Sequence, residues 1–528
     1  MTEKSIIIIG AGLAGLSTGC YSQMNGYQTH IFEHHATPGG VATCWKRKGY
    51  MIDGGIHFLM CHKPGQSIYE LYRELGTAQS NRFLDMTSYC RFIDKASGQR
   101  VQITRNLDLL AKELKAISLA DSRIIDDLIA GARAMQGTDM GDMGMSQPQE
   151  LLGLLDKLKQ MWKMRGMFKF FTGKYARSAA DYGKAIHDPW LRYVFENMFL
   201  PEVPVWFILM LLGLLADGQM GLLEGGSLNF VLPIEKHYRN LGGQVTYGAT
   251  VEKILVENDR AVGVRLADGS EHHADIVVSA ADGYSTIFKM LDGRYVDAEI
   301  EKRYKNWKLT RPLIMISFGI AREFKDESSL NIIKLEHPFT TGSKAIDGIT
   351  VRIFNYTDRL APQGKTVVQV MFETEWDWWN ELQKDRPSYE AEKERVAKQV
   401  LERLEARYPS ISSQVEMIDV ATPYTWWRYT HNYKGAYQGW LMSSEIINAQ
   451  IKKTLPGLEN FYMAGQWATP GGGVISSLYS GRHVVQILCH RDGKPFSIVL
   501  PRAKVESCHK NNHSILGEQN GIIIGVNK

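Results

Sequence analysis

Two hydrophobic periods alternate along the chain, and the first sixty residues show both. Ile6 to Ile9 is a continuous β-branched run, the pattern of a strand buried on both faces. Leu13, Leu16 and Cys20 then recur at helical spacing, and Gly26 closes that helix. Gln28 to Phe32 predicts a second strand, which runs into Glu33. The result is a β-α-β unit. Between Leu222 and Asp282, Gly225-Gly226 precedes an amphipathic helix that Gly242-Gly243 ends. Strand-like runs follow at Val245–Tyr247, Val251–Glu257, Ala261–Leu266 and Ile276–Ser279, with Asp268-Gly269 as a hairpin turn. Near the end, Phe461 to Ala464 predicts a short buried strand and Val474 the start of a helix. The longest apolar stretch, Pro204 to Ala216, would reach about 20 Å as a helix, against roughly 30 Å of bilayer hydrocarbon. It therefore reads as a buried core or pocket helix, with contact to one leaflet as the alternative.

Composition narrows the class. At 528 residues the chain is too long for one core, so two or more domains are expected. Apolar residues at 44% and charged residues at 22% exclude extensive disorder. A net charge of +4 gives no case for nucleic acid as a partner. The six cysteines form no CxxC pair, which suits reduced thiols in the cytosol. The apolar run at Ser5 meets Gly10 before it reaches the length of a signal-peptide core. A cytoplasmic location is the expectation, with peripheral attachment to the inner membrane face as an option. No zinc-ligand spacing and no Ser-His-Asp pattern stands out, and no metal is expected.

The chemistry begins at the first turn. Gly10, Gly12 and Gly15 follow the first strand in G-x-G-x-x-G spacing, with Ala14 inside the motif. Gly10 permits the tight turn, Gly12 lets a pyrophosphate approach the backbone, and Gly15 lets the helix pack on the sheet. The helix N-terminus presents N–H groups to the phosphates. Glu33, about twenty residues on, can accept both hydroxyls of an adenosine ribose and argues against a 2′-phosphate. Alone this fingerprint says only "dinucleotide".

The next segment, TPGGVATCWKRKGYMIDGGIHFL, carries Gly39-Gly40, Lys46-Arg47-Lys48 and Asp53-Gly54-Gly55. It resembles the second signature of the large FAD family that contains amine oxidases and phytoene desaturases. Amine oxidases usually follow the glycine pair with Arg, where this chain has Val41. The GQWATPGGG stretch, Gly465 to Gly473, resembles the family's last cofactor segment. Many relatives have an acid after its first glycine, where this chain has Gln466. Both departures favour the phytoene-desaturase-like branch, which includes carotenoid isomerases and retinol saturases.

That resemblance implies non-covalently bound FAD and an α/β fold. A Rossmann-type FAD-binding domain of the GR2 type would carry an inserted, mixed α+β substrate domain. The FAD domain would be discontinuous, over residues 1–70, 220–300 and 455–490. The substrate domain would take 71–219 and 301–454, with the strand-rich runs LIMISFGIA and KTVVQVMFETE in its second half, and 491–528 would be a tail. Gly39, Gly40 and Val41 would pass along the pyrophosphate and ribityl chain. Val251 would offer its backbone to the adenine, unless it is a plain core valine. Gly465 and Gln466 would hold the ribityl chain. Gly473 and Val474, at a helix N-terminus, would face the pyrimidine edge of the flavin, where charge accumulates on reduction. With no second G-x-G-x-x-G, a nicotinamide site is not expected. Electrons would pass to or from a quinone, O2 or another carrier.

Candidates for proton transfer are few. His57, in DGGIHFL, follows the glycine pair, and an ordinary imidazole pKa near 6.5 suits proton exchange. That phrase looks closer to retinol-saturase-type enzymes than to phytoene desaturases. The alternative is a structural histidine under the cofactor. ATPYTWWRYTHNYKGAYQGW, Ala421 to Trp440, resembles a stretch of carotenoid isomerases and saturases. Trp426, Trp427, Tyr429 and Tyr437 would wall an apolar tunnel, and Arg428 or His431 would supply a proton or a fixed charge. Core packing of a β-strand is the competing interpretation. Leu151 to Arg177 carries seven Lys/Arg against one Asp, with Leu151, Leu154, Leu158, Met161 and Trp162 at helical spacing. Such a helix can lie on an anionic membrane and admit a lipid-soluble substrate, or pack on the protein core. The expected function is FAD-dependent redox chemistry on carbon–carbon bonds of an apolar polyene or isoprenoid. The rivals are an amine or amino-acid oxidase and a non-catalytic, FAD-containing escort protein.

Overall fold

A five-stranded sheet underlies the glycine fingerprint. In the computed structural model, which describes residues 3–166 and 168–501, its strands are Ser5–Ile9, Gln28–Glu33, Gln244–Tyr247, Ile276–Ser279 and Phe461–Met463. Ser5–Ile9 lies at the centre between Gln28–Glu33 and Ile276–Ser279, with Gln244–Tyr247 and Phe461–Met463 outside them. Every pairing is parallel, with Ile9 opposite both Phe32 and Ser279. A central parallel strand is covered on both faces, and Ile6 to Ile9 divide between two cores. Ile6 and Ile8 pack toward the helices Leu13–Met24, Ser227–Asn240 and Gly473–Arg491. Ile7 and Ile9 pack toward the small antiparallel sheet of Val251–Glu257, Arg260–Leu266 and Glu271–His273.

Close helix contact depends on small residues. A Cβ at Gly15 would lie 1.9 Å from the carbonyl oxygen of Gly10, and one at Gly481 would lie 2.6 Å from that of Ala14. Neither position has room for a side chain, so the two helices sit tight against the sheet and each other.

A second sheet has seven strands in the order Val415–Ala421, Leu313–Ile320, Thr366–Glu373, Lys344–Ile353, Leu330–Thr341, Ser88–Asp94 and Arg100–Thr104. It is antiparallel except where Asn331–Lys334 runs parallel to Arg91–Asp94. The helix Arg386–Glu405 covers one face through Val396, Val400 and Leu404. The other face meets the first domain through Tyr50, Ile52, Met315, Met371, Trp426 and Tyr437. The fold is thus a Rossmann-type α/β domain joined to a mixed α+β body, with the functional cavity at their junction.

Three local expectations are settled by packing. The helix Val205–Ala216 has ten of its twelve residues buried, so it is a core helix. Among the described residues, no helix is long and apolar enough to cross a membrane. Ala421 to Trp440 does not continue as a strand: Pro423–Thr430 is a helix with Thr422 as N-cap, Pro423 in its first turn and His431 in the left-handed region behind it. Thr-Pro ahead of an aromatic run is a helix-start signal, and it wins over the β propensity of the aromatics. The basic helix spans Leu154–Met164 and does not pack its apolar side on the core, because Leu154, Leu155, Leu158 and Trp162 are all exposed. The side chains of Met161 and Lys163 and residues 502–528 of the tail lie outside the described residues.

Candidate active site

The sheet's C-terminal edge opens into a cavity of about 970 Å³. Ligands of open α/β sheets bind in this place. Gly10, Gly12, Ala14, Glu33, Gly39, Gly40, Val41, His57, Val251, Gly465, Gln466, Gly473 and Val474 all line it. Gly15 does not: it packs against the Gly10 carbonyl beneath the wall. Gly39 lies beside Gly12 in an isolated parallel bridge, and its N–H donates to the Ala11 carbonyl at 2.9 Å. The two glycine turns, distant in their signatures, are therefore knitted side by side. A Cβ on Gly12 would meet no protein atom within 4 Å, so it would project into the cavity itself.

Two helices point uncapped N-termini at this space. Leu13–Met24 begins after Gly12 and Gly473–Arg491 after Gly472, each without a side-chain cap and without an acid in its first turn. Their unpaired N–H groups and dipoles favour negative charge in the cavity. Glu33 is buried. One carboxylate oxygen accepts from Ala11 N–H at 2.6 Å and the other from His35 N–H at 2.7 Å. Burial raises its pKa and the two N–H groups oppose the rise. The carboxylate is held rigidly, with lone pairs left for hydroxyl donors.

His57 is half-buried on the cavity wall, and its Nε2 is turned into the protein without a hydrogen-bond partner. Burial, with the positive charge of Arg352 behind it, holds its pKa well below 6.5. The titration near 6.5 anticipated from its residue type is thus displaced, and His57 is neutral at physiological pH. Tyr437 stacks beside it with ring centroids 6.3 Å apart. The Tyr437 hydroxyl donates to the carbonyls of Gly54 at 2.7 Å and Gly55 at 3.1 Å, which fastens the Asp53-Gly54-Gly55 turn under the ring. Asp53 accepts from Ser227 N–H at 3.2 Å and lies 3.8 Å from Arg352.

Trp427 and Arg428 do not reach this centre. On the Pro423–Thr430 helix successive residues are about 100° apart, so Trp426 turns inward and its neighbours turn away. Trp426 meets Tyr437 edge-on at 5.2 Å. Trp427 stacks on Tyr424 at 5.5 Å, outside the cavity wall. Arg428 is exposed over the ring of Tyr429. Tyr429, Thr430 and His431 line the cavity, but around Glu33: His431 packs on His34 at 4.1 Å, and His34 hydrogen-bonds Thr250 at 2.6 Å. The His431 pKa is pushed down to about 4 by burial and by the neighbouring charges of His34 and Lys289.

Two lining residues carried no recognised sequence signal as site groups. Asp282 closes the ADIVVSAAD run and accepts from Ser285 N–H at 2.7 Å and Tyr433 N–H at 2.8 Å, with burial pushing its carboxyl up to about 6. Lys453 donates to the Ala468 carbonyl at 2.6 Å, and burial pushes its amine down to about 8. Beyond His57 the wall turns apolar, through Met140, Met145, Phe171, Phe199, Phe207 and Met210. Among the described residues, no cluster of His, Cys, Asp and Glu is arranged to hold a metal.

The fold and these two anion-seeking turns define a dinucleotide-binding oxidoreductase with a deep apolar annex. Residues 13–489 match the model of the family described as flavin containing amine oxidoreductase, and the chain belongs to it. It is an FAD-dependent enzyme. A chloroplastic prolycopene isomerase of Arabidopsis thaliana is 22% identical, over 90% of this chain and 81% of its own. A zeta-carotene-forming phytoene desaturase of Myxococcus xanthus is 24% identical, over 92% and 94%. Among solved structures, an oxidoreductase from Methanosarcina mazei superposes with a TM-score of 0.57 at 18% identity, covering 91% of this chain and 100% of that one. A putrescine oxidase bound to putrescine gives 0.58 at 12%, covering 93% and 99%. At such identities the superpositions show the fold.

Proposed function

We propose that the enzyme carries out redox chemistry on carbon–carbon bonds of a long apolar polyene, in the range of desaturation, saturation and isomerisation. One observation carries the reading: the glycine cradle shares its cavity with a wall of Met140, Met145, Phe171, Phe199, Phe207 and Met210. The acidic residues on the cavity wall are Glu33, Glu150 and Asp282. Glu33 and Asp282 each accept two backbone N–H groups, and Glu150 accepts from Lys453 N–H at 3.4 Å. The methionine and phenylalanine walls beside them suit a hydrocarbon better than an ammonium group. The prolycopene isomerase and phytoene desaturase names of the relatives point the same way.

The residues divide the work. Gly10, Gly12 and Ala14 would hold the pyrophosphate at the helix N-terminus, with Gly15 keeping that helix close. Glu33 would accept the ribose hydroxyls, and Val251 would offer its backbone to the adenine. Gly39, Gly40, Val41, Gly465 and Gln466 would hold the ribityl chain, and Gly473 and Val474 would present N–H groups to the pyrimidine edge. When bound, FAD supplies hydride transfer. The apolar lobe excludes water and orients the chain. His57, neutral and lining the cavity, would receive or return a proton at the ring edge that faces the substrate without having to lose a charge first.

Anaerobic mixing of the holoenzyme with phytoene, lycopene isomers and a panel of small amines tests the proposal. Flavin bleaching or a changed polyene on chromatography is the expected result. Steady hydrogen peroxide production from amines, with polyenes untouched, would make it an amine oxidase. A bound flavin that dithionite cannot reduce would favour the escort reading.

A further inference from the structure

The helix Leu154–Met164 is an anomaly for a folded protein. Leu154 is 76% exposed, Leu155 72%, Leu158 52% and Trp162 68%. Large apolar side chains seldom stand open together on a soluble surface, and a contiguous apolar patch marks a contact surface. The helix is well formed, with Asp156 accepting from Gly153 N–H at 3.2 Å at its start. Its exposure is therefore not fraying.

The position of the helix gives the patch a purpose. Chain on both sides of it lines the cavity: Met140, Met145 and Gln149 before it, Phe171 after it. Phe171 packs on Trp206 at 5.2 Å, and Trp206 is itself part of the cavity wall. Phe168, between helix and wall, is 46% exposed. The exposed apolar side chains of the helix and of Phe168 are thus followed, three residues on, by a residue of the cavity wall.

The charge identifies the occupant. Leu151 to Arg177 carries seven Lys/Arg and one Asp. Lys157, Lys159, Arg165 and Lys169 are exposed around the apolar side chains, and Arg165 lies over the Trp162 ring at 4.3 Å. A second copy of this chain would bring the same cations face to face, which costs affinity. An anionic bilayer offers hydrocarbon to the leucines and tryptophan and phosphates to the lysines and arginines. We infer that Leu154–Met164 is a membrane-docking helix, which lies in the headgroup region of an anionic leaflet and opens the cavity's apolar lobe toward the acyl chains. The docking rests on the surface itself. Its use as a substrate entrance rests on the polyene function proposed above.

Flotation of the FAD-loaded protein separates the two. Holoenzyme is floated with vesicles of phosphatidylcholine alone and of phosphatidylcholine with phosphatidylglycerol. The expected result is recovery with the anionic vesicles, weakened by salt, and a loss of about tenfold or more in the triple variant Leu155→Ser, Leu158→Ser, Trp162→Ser. None of these three residues lines the cavity, so the variant should keep its flavin absorbance and its turnover of polyene in detergent micelles. Lys157→Glu with Lys159→Glu should lose anionic selectivity while also keeping flavin. Wild-type protein that stays at the bottom of the gradient, or a triple variant that floats like wild type, overturns the docking. So does a dimer in sedimentation that the triple variant abolishes while flotation is absent. Turnover of polyene in micelles without flotation would leave the function intact and remove only the docking. Flotation without turnover would do the reverse.

Discussion

Replacing Gly12 with valine separates a cofactor contact from a folding contact. Gly12 has φ −71° and ψ 178°, an extended conformation that valine adopts freely. A Cβ there meets no protein atom within 4 Å. As an N-cap, valine is worse than glycine by at most about 1 kcal/mol, so the apoprotein should fold with a nearly unchanged melting temperature. The two methyl groups would stand where the pyrophosphate must touch backbone N–H groups. Loss of two charge-assisted hydrogen bonds at about 1.5 kcal/mol or more each gives about 3 kcal/mol, or roughly a hundredfold in Kd. Gly15→Ala is the contrast: its Cβ would lie 1.9 Å from a backbone oxygen, so the helix must leave the sheet and the apoprotein itself loses stability. The assay is flavin absorbance per protein after purification, FAD titration of the apoprotein and an apoprotein melt. Gly12→Val protein with full flavin content would refute the placement of the pyrophosphate.

His57→Ala should slow flavin reduction or reoxidation by substrate by about tenfold or more in stopped flow, and an unchanged rate would leave His57 a structural residue. The His57 pKa is held below its unfolded value of 6.5, so the unfolded chain binds a proton that the folded one refuses. Its contribution to stability is full above about pH 6.5 and falls as pH drops below it; His57→Gln should flatten that acid limb in denaturant titrations. Asp282 is shifted the other way, to about 6 from 3.8, so its contribution falls as pH rises from about 4 to 6. Asp282→Asn, whose single amide oxygen can keep only one of the two N–H contacts that the carboxylate oxygens share out, should lower stability near pH 4 and abolish the fall between pH 4 and 6, measured by urea midpoint. Trp427→Ala and Arg428→Ala should leave kcat within about twofold, because neither side chain meets the cavity, and a hundredfold loss in either would contradict the geometry. Tyr437→Phe removes the donor to Gly54 and Gly55 and should cost about 1–2 kcal/mol of stability, with slower substrate reduction of the flavin if the turn under His57 loosens.

What was legible in the sequence is what neighbours in sequence decide. The strand at Ile6–Ile9, the turn at Gly10, the helix from Leu13 and the acid at Glu33 form one local unit, and the structure keeps each in place. The hairpin at Asp268-Gly269 and the strand Ile276–Ser279 were equally local. The charge state of His57 was not local: its pKa depends on Arg352, almost three hundred residues away. Lys453 and Asp282 carry no sequence signal because their roles come from burial, which a residue type does not disclose. The Trp426–Arg428 run shows why a composition argument fails at a site. Three aromatic or charged residues in a row suggest a wall, but the helix that Thr422 and Pro423 start admits only one face to the interior. Trp426 supports Tyr437, while Trp427 and Arg428 are turned out beside it. Chemistry at the flavin is therefore expected to depend on His57 and Tyr437, which come from different signatures and meet only because the second sheet closes over the Asp53-Gly54-Gly55 turn.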